Sequence, residues 1–201
     1  MGFALARAAA ARGAEVTLVA GPVSLPTPPG VRRVDVTTAA EMAAAILPAA
    51  AAQDLIIMAA AVADYRPVEA AGDKLKKDAL GGAPSIALTP TTDILATLGA
   101  QRTPSGGAPV LVGFAAETTA VLAHAERKLR RKGCDLLVVN DVTEPGAGFS
   151  VDTNRVALLS LVPDGDGDRL QVDALPLMSK DAVAEAILDR AAARLVVGKD
   201  T

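Results

Sequence analysis

Short apolar runs alternate along this chain with longer segments of helical periodicity. The apolar runs have the length and branched side chains of strands, most of them buried in a parallel sheet, and lie at 15–19, 31–36, 55–58, 85–88, 109–115 and 135–139. Helices are predicted at 2–12, 38–51, 94–100, 117–132 and from 180 to about 196. Strands and helices that alternate in this way are typical of a doubly wound α/β sheet.

The two ends of the chain modify this plan. Residues 154–161 and 170–174 flank an Asp-Gly-Asp-Gly-Asp turn and predict an antiparallel hairpin at one edge of the sheet. A doubly wound domain normally opens with a strand and a Gly-rich turn, whereas this sequence opens with a helix. We therefore predict a Rossmann-like, mainly parallel sheet with a C-terminal antiparallel hairpin, and we expect the first strand and Gly-rich loop to be absent.

Composition limits the class of protein. The 201 residues suit a single domain, 1–201. Hydrophobic residues make up 51% of the chain and aromatic residues only 2%, so Ala, Val, Leu and Ile must fill the core. A net charge of -3 gives no general attraction to nucleic acid. The single cysteine fits a reducing compartment, so cytoplasm is expected, and the longest apolar run, 55–63, is too short to span a membrane.

The most informative stretch runs from residue 54 to residue 77. A buried strand ends at Met58, small residues such as Ala59 and Ala60 follow, and Asp64 then stands where parallel sheets place their ligand groups. Ten residues later the sequence Lys-Leu-Lys-Lys, 74–77, puts two ammonium groups on one side of an extended chain, which would suit a polyphosphate. The alternative for Asp64 is a turn cap, and the alternative for the lysines is a solvated loop.

Three further features could contribute to an anion site. Thr91, Thr92 and Asp93 open a helix, whose first backbone N–H groups attract anions. Lys128 and Lys132 share one face of a helix, although cations near a helix C-terminus are also favoured by the dipole. Phe114 lies at the end of a buried strand and could pack on a base or sugar, or simply in the core.

Metal and triad chemistry find no support in the sequence. The Asp-Gly-rich turn fails as a calcium loop because Arg169 occupies the sixth position and Leu175 the twelfth. His124 has no second His or Cys nearby, so we interpret it as structural and expect no metal site built from protein ligands alone.

Taken in order, several motifs cover nearly the whole chain and strongly resemble one enzyme family. They are GPVSLPTPPGVRRVDVTTAAEM, AAAVADYRP, KLKK, GFAAET, the helix with Lys128 and Lys132, and VVNDV. The family is phosphopantothenoylcysteine synthetase, the phosphopantothenate-cysteine ligase of coenzyme A biosynthesis. The resemblance implies that 4'-phosphopantothenate and CTP form an acyl-cytidylate, which L-cysteine converts to 4'-phosphopantothenoylcysteine, with Mg2+ assisting through the phosphates.

The resemblance also implies roles for individual residues. Lys74 is the expected catalytic residue, because the family lysine at this position contacts the nucleotide and is tied to the amide-forming step. Asp64 would be a ribose or metal-side ligand. The remaining nucleotide-binding residues would be Met58, Ala59, Ala60, Pro90, Thr91, Thr92, Asp93, Phe114, Lys128 and Lys132. The Pro-Thr-Thr before Asp93 departs from the more usual Asn-Pro, which puts side-chain contacts of this turn in doubt.

Two other features of the family bear on this chain. Its members carry an Asn-, Ser- and Gly-rich segment before the Met-Gly that opens this sequence, so we expect the chain as it stands to be impaired or inactive. The family also implies a homodimer and, in bacteria, fusion to or association with a flavin-dependent decarboxylase. CTP is expected on the bacterial-like spacing, although eukaryotic relatives prefer ATP.

Two alternatives stay open. A nicotinamide-dependent oxidoreductase of Rossmann type would share the alternation of strands and helices, but it needs an intact Gly-rich turn. A non-catalytic nucleotide-binding module would keep Asp64 and have no need of Lys74.

Overall fold

A computed structural model describes residues 1–69, 73, 85–102, 109–117, 121–141, 151–165 and 167–197. Its elements follow one another as α1 (Gly2–Ala11), β1 (Val16–Ala20), β2 (Val31–Asp35), α2 (Ala39–Ile46), a 3₁₀ helix (Leu47–Ala52), β3 (Leu55–Met58), β4 (Tyr65–Pro67), β5 (Leu88–Pro90), α3 (Ile94–Gln101), β6 (Val110–Glu117), α4 (Val121–Lys132), β7 (Leu136–Asp141), β8 (Thr153–Asn154), β9 (Val156–Asp164), β10 (Gly167–Ala174), β11 (Met178–Ser179) and α5 (Lys180–Val197).

The central sheet has the order β10-β9-β7-β6-β3. Strands β3, β6 and β7 are parallel, whereas β9 and β10 form an antiparallel hairpin beside them. Strands β1 and β2 form a separate parallel pair. The prediction of a mainly parallel, Rossmann-like sheet with a C-terminal antiparallel hairpin is therefore confirmed.

Helices cover both faces of the central sheet because its strands are apolar on both sides. Helices α1 and α5 pack on one face, where Val112, Val138 and Ile187 are fully buried. Helices α3 and α4 pack on the other face, where Leu129 and Leu137 are fully buried. Alternate residues of one strand thus belong to different layers, as the two-residue period of a strand requires.

Several helix ends follow from local sequence signals. Thr38 caps α2 by accepting a hydrogen bond from Glu41 N at 3.1 Å, while the Glu41 carboxylate accepts from Thr37 N at 2.7 Å. Gly13 and Gly133 follow α1 and α4 with φ of 85° and 62°, a left-handed conformation that glycine adopts at little cost. The capping pattern at Thr38 is confirmed.

Some predicted boundaries were wrong. The strand expected at 85–88 is found at Leu88–Pro90, where it pairs with the unpredicted β4. The helix expected from residue 117 begins at Val121, because β6 continues to Glu117. The helix expected to run to residue 51 becomes a 3₁₀ helix after Ile46, where proline at its start lacks the donor that an α-helix needs.

The described helices include none that is both long and apolar enough to cross a membrane.

Candidate functional site

The candidate site lies at the carboxyl ends of the parallel strands. Met58, the last residue of β3, stands beside Gly113 of β6 in the parallel register. Ala59 follows and lies beside the start of α1, since a Cβ built on Gly2 would be 3.9 Å from the Cβ of Ala59. Met58 and Ala59 are half-buried and Ala60 is exposed. Small side chains after β3 leave its end accessible, as expected where a ligand crosses a parallel sheet.

Two segments that are distant in sequence meet beyond β3. The backbone N–H of Thr91 donates to Asp64 O at 2.9 Å, and the Thr91 hydroxyl donates to Ala63 O. Antiparallel pairing of β4 with β5 continues this connection, with Tyr65 opposite Pro90. The Asp64 segment and the turn before α3 therefore form one connected unit, with the Asp64 side chain exposed to solvent.

Asp93 has two partners at the start of α3. Its Oδ1 caps the helix by accepting from Ala96 N at 3.1 Å, and its Oδ2 accepts a hydrogen bond from Lys132 Nζ. Burial acts to raise the pKa of Asp93, but the Lys132 ammonium and the Ala96 N–H outweigh it, so this pKa lies below the usual value. The Lys132 side chain is 11% exposed and the Asp93 side chain 49% exposed, so the pair is half-buried.

The remaining predicted residues have different positions. Lys128 is half-buried one turn before Lys132 on α4, and Thr92 and Pro90 are exposed beside Asp93. Phe114 was expected at a strand end, but it lies inside β6 opposite Val138. It packs against the core layer of α1 and α5, on the other face of the sheet from α4.

Lys74, the expected catalytic residue, lies outside the described residues, as do the other two lysines of the 74–77 motif. The structure thus connects Asp64, Thr91, Asp93 and Lys132 through direct bonds. Phe114 packs in the core cluster of α1 and α5, which Ala59 also joins.

Asn140 was left without a role by the sequence analysis. It lies near the carboxyl end of β7, between Ala116 of β6 and Val156 of β9. Its Oδ1 atom is buried, and no group in the described part of the chain donates a hydrogen bond to it. Buried polar atoms are normally paired, so an unpaired acceptor at the ligand-binding edge is a candidate contact. An amide at the end of an apolar run was the signal available in the sequence.

Metal-binding side chains do not cluster within the described ranges, where no group of three His, Cys, Asp or Glu could hold an ion. This donor set does not suit a metal held by protein alone. It suits Mg2+ held mainly by phosphates with one carboxylate in support, because Mg2+ commonly binds in that way. Asp64 is an exposed carboxylate beyond the end of β3.

Comparison with known proteins identifies the family. The family model described as DNA/pantothenate metabolism flavoprotein C-terminal domain matches residues 1–195. The coenzyme A biosynthesis bifunctional protein CoaBC of Escherichia coli (strain K12) is 46% identical over 195 residues, which are 96% of this chain and 45% of that protein. The chain therefore spans less than half the length of this curated relative.

Solved structures give the same result. The crystal structure of the C-terminal domain of a CoaBC protein matches with a TM-score of 0.73 and 35% identity, over 100% of this chain and 83% of that one. A Cab2 mutant in complex with phosphopantothenate-cysteine matches with a TM-score of 0.72 over 100% of this chain and 79% of that one, and its 16% identity supports the fold alone. The chain belongs to the family of the DNA/pantothenate metabolism flavoprotein C-terminal domain.

Proposed function

We propose that this chain is a phosphopantothenate-cysteine ligase of coenzyme A biosynthesis that uses CTP. Membership of the family and 46% identity to a coenzyme A biosynthesis protein support this activity. The observation that carries the proposal is the bonded connection from Asp64 through Thr91 to the turn at Asp93, which Lys132 contacts. It forms a polar edge that includes the Lys132 ammonium, on a sheet whose carboxyl ends are suited to nucleotides.

The proposed reaction has two steps. A carboxylate oxygen of 4'-phosphopantothenate attacks the α-phosphorus of CTP, and the bond to the β-phosphate oxygen breaks to release pyrophosphate. The amine of L-cysteine then attacks the acyl carbon, the bond to the cytidylate oxygen breaks, and CMP leaves as the amine loses a proton. Negative charge develops on phosphate oxygens in the first step, so fixed cations and N–H donors at this edge would lower its barrier.

Each residue of the connected unit then has a role. Lys132 and Lys128 would bind triphosphate oxygens from α4, and the turn at Thr91 and Thr92 would offer backbone N–H groups. Asp93 pairs with the Lys132 ammonium and so fixes the position of Lys132 before CTP binds. The triphosphate must then share the ammonium with the Asp93 carboxylate or displace that carboxylate. Lys74 stays the proposed catalytic residue of the amide-forming step.

Other residues would complete the nucleotide contacts. The backbone of Met58, Ala59 and Ala60 would approach the nucleotide, and Pro90 would shape the turn before α3. Phe114 would reach the nucleotide only from the α1 and α5 face of the sheet. Asn140 Oδ1 would accept a hydrogen bond from the exocyclic amine of cytosine, a group that would satisfy its buried oxygen.

Mg2+ fits this site as an ion carried by the triphosphate and supported by Asp64. When bound there, it would neutralise charge on the phosphate oxygens.

The proposal is tested by isothermal titration with CTP and by pyrophosphate release in the presence of 4'-phosphopantothenate. We expect Lys132→Met to weaken CTP binding by about tenfold or more, because a charged hydrogen bond is lost. Arg127→Gln, an exposed change on the same helix, is the control and should bind CTP as the parent chain does. Lys74→Gln should retain CTP binding and lose ligation.

The assay should include the chain extended by an Asn-, Ser- and Gly-rich segment of the kind that the resemblance implies. A thermal-shift titration with CTP, ATP and NAD separates the alternatives. Preference for NAD would support an oxidoreductase, and CTP binding without pyrophosphate release in the extended chain would support a non-catalytic module.

We further propose that two copies of the chain associate through the ribbon of β4 and β5. Tyr65 and Leu88 lie on one face of this ribbon, and Ile86 precedes Leu88 by two residues. Tyr65 is 60% exposed, Leu88 57% and Ile86 71%. Three large apolar side chains exposed together form a surface that another protein could cover. Light scattering should give twice the monomer mass for the parent and the monomer mass for Ile86→Asp, whereas Val172→Asp on exposed β10 serves as the control.

The remaining proposals concern cellular context. The 201 residues would form one nucleotide-binding domain, and limited proteolysis should then yield no stable fragment of half that size. The domain would work in the cytoplasm, fused to or associated with a flavin-dependent phosphopantothenoylcysteine decarboxylase, as the bifunctional name of the relative suggests.

A further inference from the structure

A cavity of about 140 Å³ lies between the sheet and the second half of α5. Its lining includes residues of β9 and β10 and Leu136, the first residue of β7. It is therefore at the opposite end of β7 from Asn140. It is also on the α5 face of the sheet, whereas α3 and α4 cover the other face. The cavity is separate from the proposed nucleotide site.

Small residues create this space within an otherwise apolar layer. Elsewhere Leu158 and Ile187 fill the gap between the sheet and α5, but the cavity is lined by Ser160, which is buried, and Ala193, which is exposed. Ser160 is only 7% exposed, and its hydroxyl, which forms no hydrogen bond with a described residue, is still reached by solvent. A hydroxyl that lines a cavity offers a hydrogen bond to a polar occupant, which is water in the simplest case.

The charges around the cavity favour an anion over water alone. Arg190 Nη2 forms an ion pair with Asp173 Oδ2 at 2.9 Å, and Gln171 Nε2 donates to the same oxygen at 3.3 Å, so the one carboxylate in the cavity wall is already paired. Arg194 lies one turn after Arg190 and forms no ion pair with a residue in the described part of the chain. Two arginines and one aspartate leave a formal charge of +1 at the cavity.

A purely structural explanation accounts for only part of this arrangement. A cation in the last turn of a helix is favoured by the dipole, and that suffices for Arg194 on its own. It does not explain the cavity, whose lining includes both Arg194 and Ser160.

We infer that this cavity binds a small oxyanion, a carboxylate or phosphate group, between the Arg194 guanidinium and the Ser160 hydroxyl. The planar fork of an arginine matches two oxygens of such a group, and the hydroxyl can donate to a third or to a bridging oxygen. Arg190 is paired with Asp173, so Arg194 carries the uncompensated positive charge of the cavity.

Thermal unfolding of the full chain in phosphate, acetate and chloride at equal ionic strength tests this inference. At ten times the dissociation constant of the bound anion, the melting temperature should rise by about 4 °C over chloride. Arg194→Gln should abolish that rise by removing the charge. Ser160→Val should abolish it by filling the cavity and removing the hydroxyl. Arg169→Gln, an exposed arginine of β10 paired with Asp164, is the matched control and should retain the full rise.

Phosphate could also bind at the nucleotide site, and the variants separate the two sites. Binding there would leave the rise intact in Arg194→Gln and reduce it in Lys132→Met, and that result would overturn the inference. Equal rises in all variants would indicate a general salt effect, and the absence of any rise would indicate a water-filled cavity; both would also overturn it. A rise with phosphate alone would identify a phosphate subsite, whereas one with acetate as well would identify a general oxyanion subsite.

Discussion

Lys132 at the end of α4 forms an ion pair with Asp93, the residue that caps α3. One carboxylate thus serves two neighbouring helices, with one oxygen on the Ala96 N–H and the other on the Lys132 ammonium. The two contributions are chemically separable, because an amide can cap a helix but cannot form an ion pair. Substitutions at this position can therefore measure each of them.

Asp93→Asn should keep the cap and remove the ion pair. We expect a loss of unfolding free energy below about 1 kcal/mol, since the Asp93 side chain is half exposed. Asp93→Ala removes the cap as well and should cost about 1 kcal/mol more, because asparagine and aspartate are equally good caps. Urea unfolding measures both. Adding Lys132→Met to Asp93→Asn should change little, and equal losses in the Asn and Ala variants would contradict the capping role.

The pKa of Asp93 also predicts a pH dependence. A carboxyl whose folded pKa is lowered contributes stability that is present above the unfolded pKa and is lost as the pH falls through the folded pKa. The parent should therefore lose stability relative to Asp93→Asn below about pH 4. Urea midpoints of both proteins between pH 6 and pH 3 provide the measurement, and parallel curves would argue against the shift.

Close packing of two helix ends makes Gly99 a sensitive position. A Cβ on this residue of α3 would lie 2.0 Å from Lys132 O, a backbone atom that cannot move without displacing the end of α4. Gly99→Ala should cost about 3 kcal/mol or more, despite the better helix propensity of alanine. Gly21→Ala has nothing within 4 Å and is the control. A neutral Gly99→Ala would mean that α3 and α4 are not in contact at this point.

Features that depend on residues close in sequence could be predicted here, whereas those that depend on distant residues could not. The cap at Thr38 and the polar start of α3 at Asp93 depend on residues three apart, so a short pattern suffices. The pairing of β4 with β5 joins exposed segments with a proline in each strand, and such strands lack both the alternation and the donors that mark a strand. The contact of Lys132 with Asp93 spans 39 residues and depends on how α3 and α4 pack.

Arg102 and Asp135 form a second long-range pair, which connects the end of α3 to the start of β7. Arg102 Nη1 lies 2.9 Å from Asp135 Oδ2, an oxygen that also accepts from Leu111 N at 2.7 Å, and the two side chains are 11% and 24% exposed. Asp135→Ala leaves a buried guanidinium and N–H without this partner and should cost about 3 kcal/mol. Asp164→Ala, which breaks a pair that is 63% exposed on both sides, should cost less than about 1 kcal/mol. Comparable losses in urea unfolding would rule out a special role for the buried pair.

Cys134, between these two helix-end contacts, should be unreactive in the folded protein. Burial, assisted by the neighbouring Asp135 carboxylate, raises the pKa of its thiol to about 12, and the residue is 8% exposed. At pH 8 the thiolate, which is the reactive form, should be about a thousandfold scarcer than in the unfolded chain. A raised thiol pKa contributes stability that is present below the unfolded pKa, near 8.5, and is lost as the pH rises towards 12.

A thiol-exchange reagent such as Ellman's reagent measures this directly at pH 8. Labelling of the native protein should be slow and should approach the rate of the denatured chain only in urea concentrations that unfold it. The denatured protein, with its single thiol, is the internal control for full labelling. Fast labelling without denaturant would place the Cys134 thiol in contact with solvent and would contradict the packing of Gly113, Leu95 and Leu137 around it.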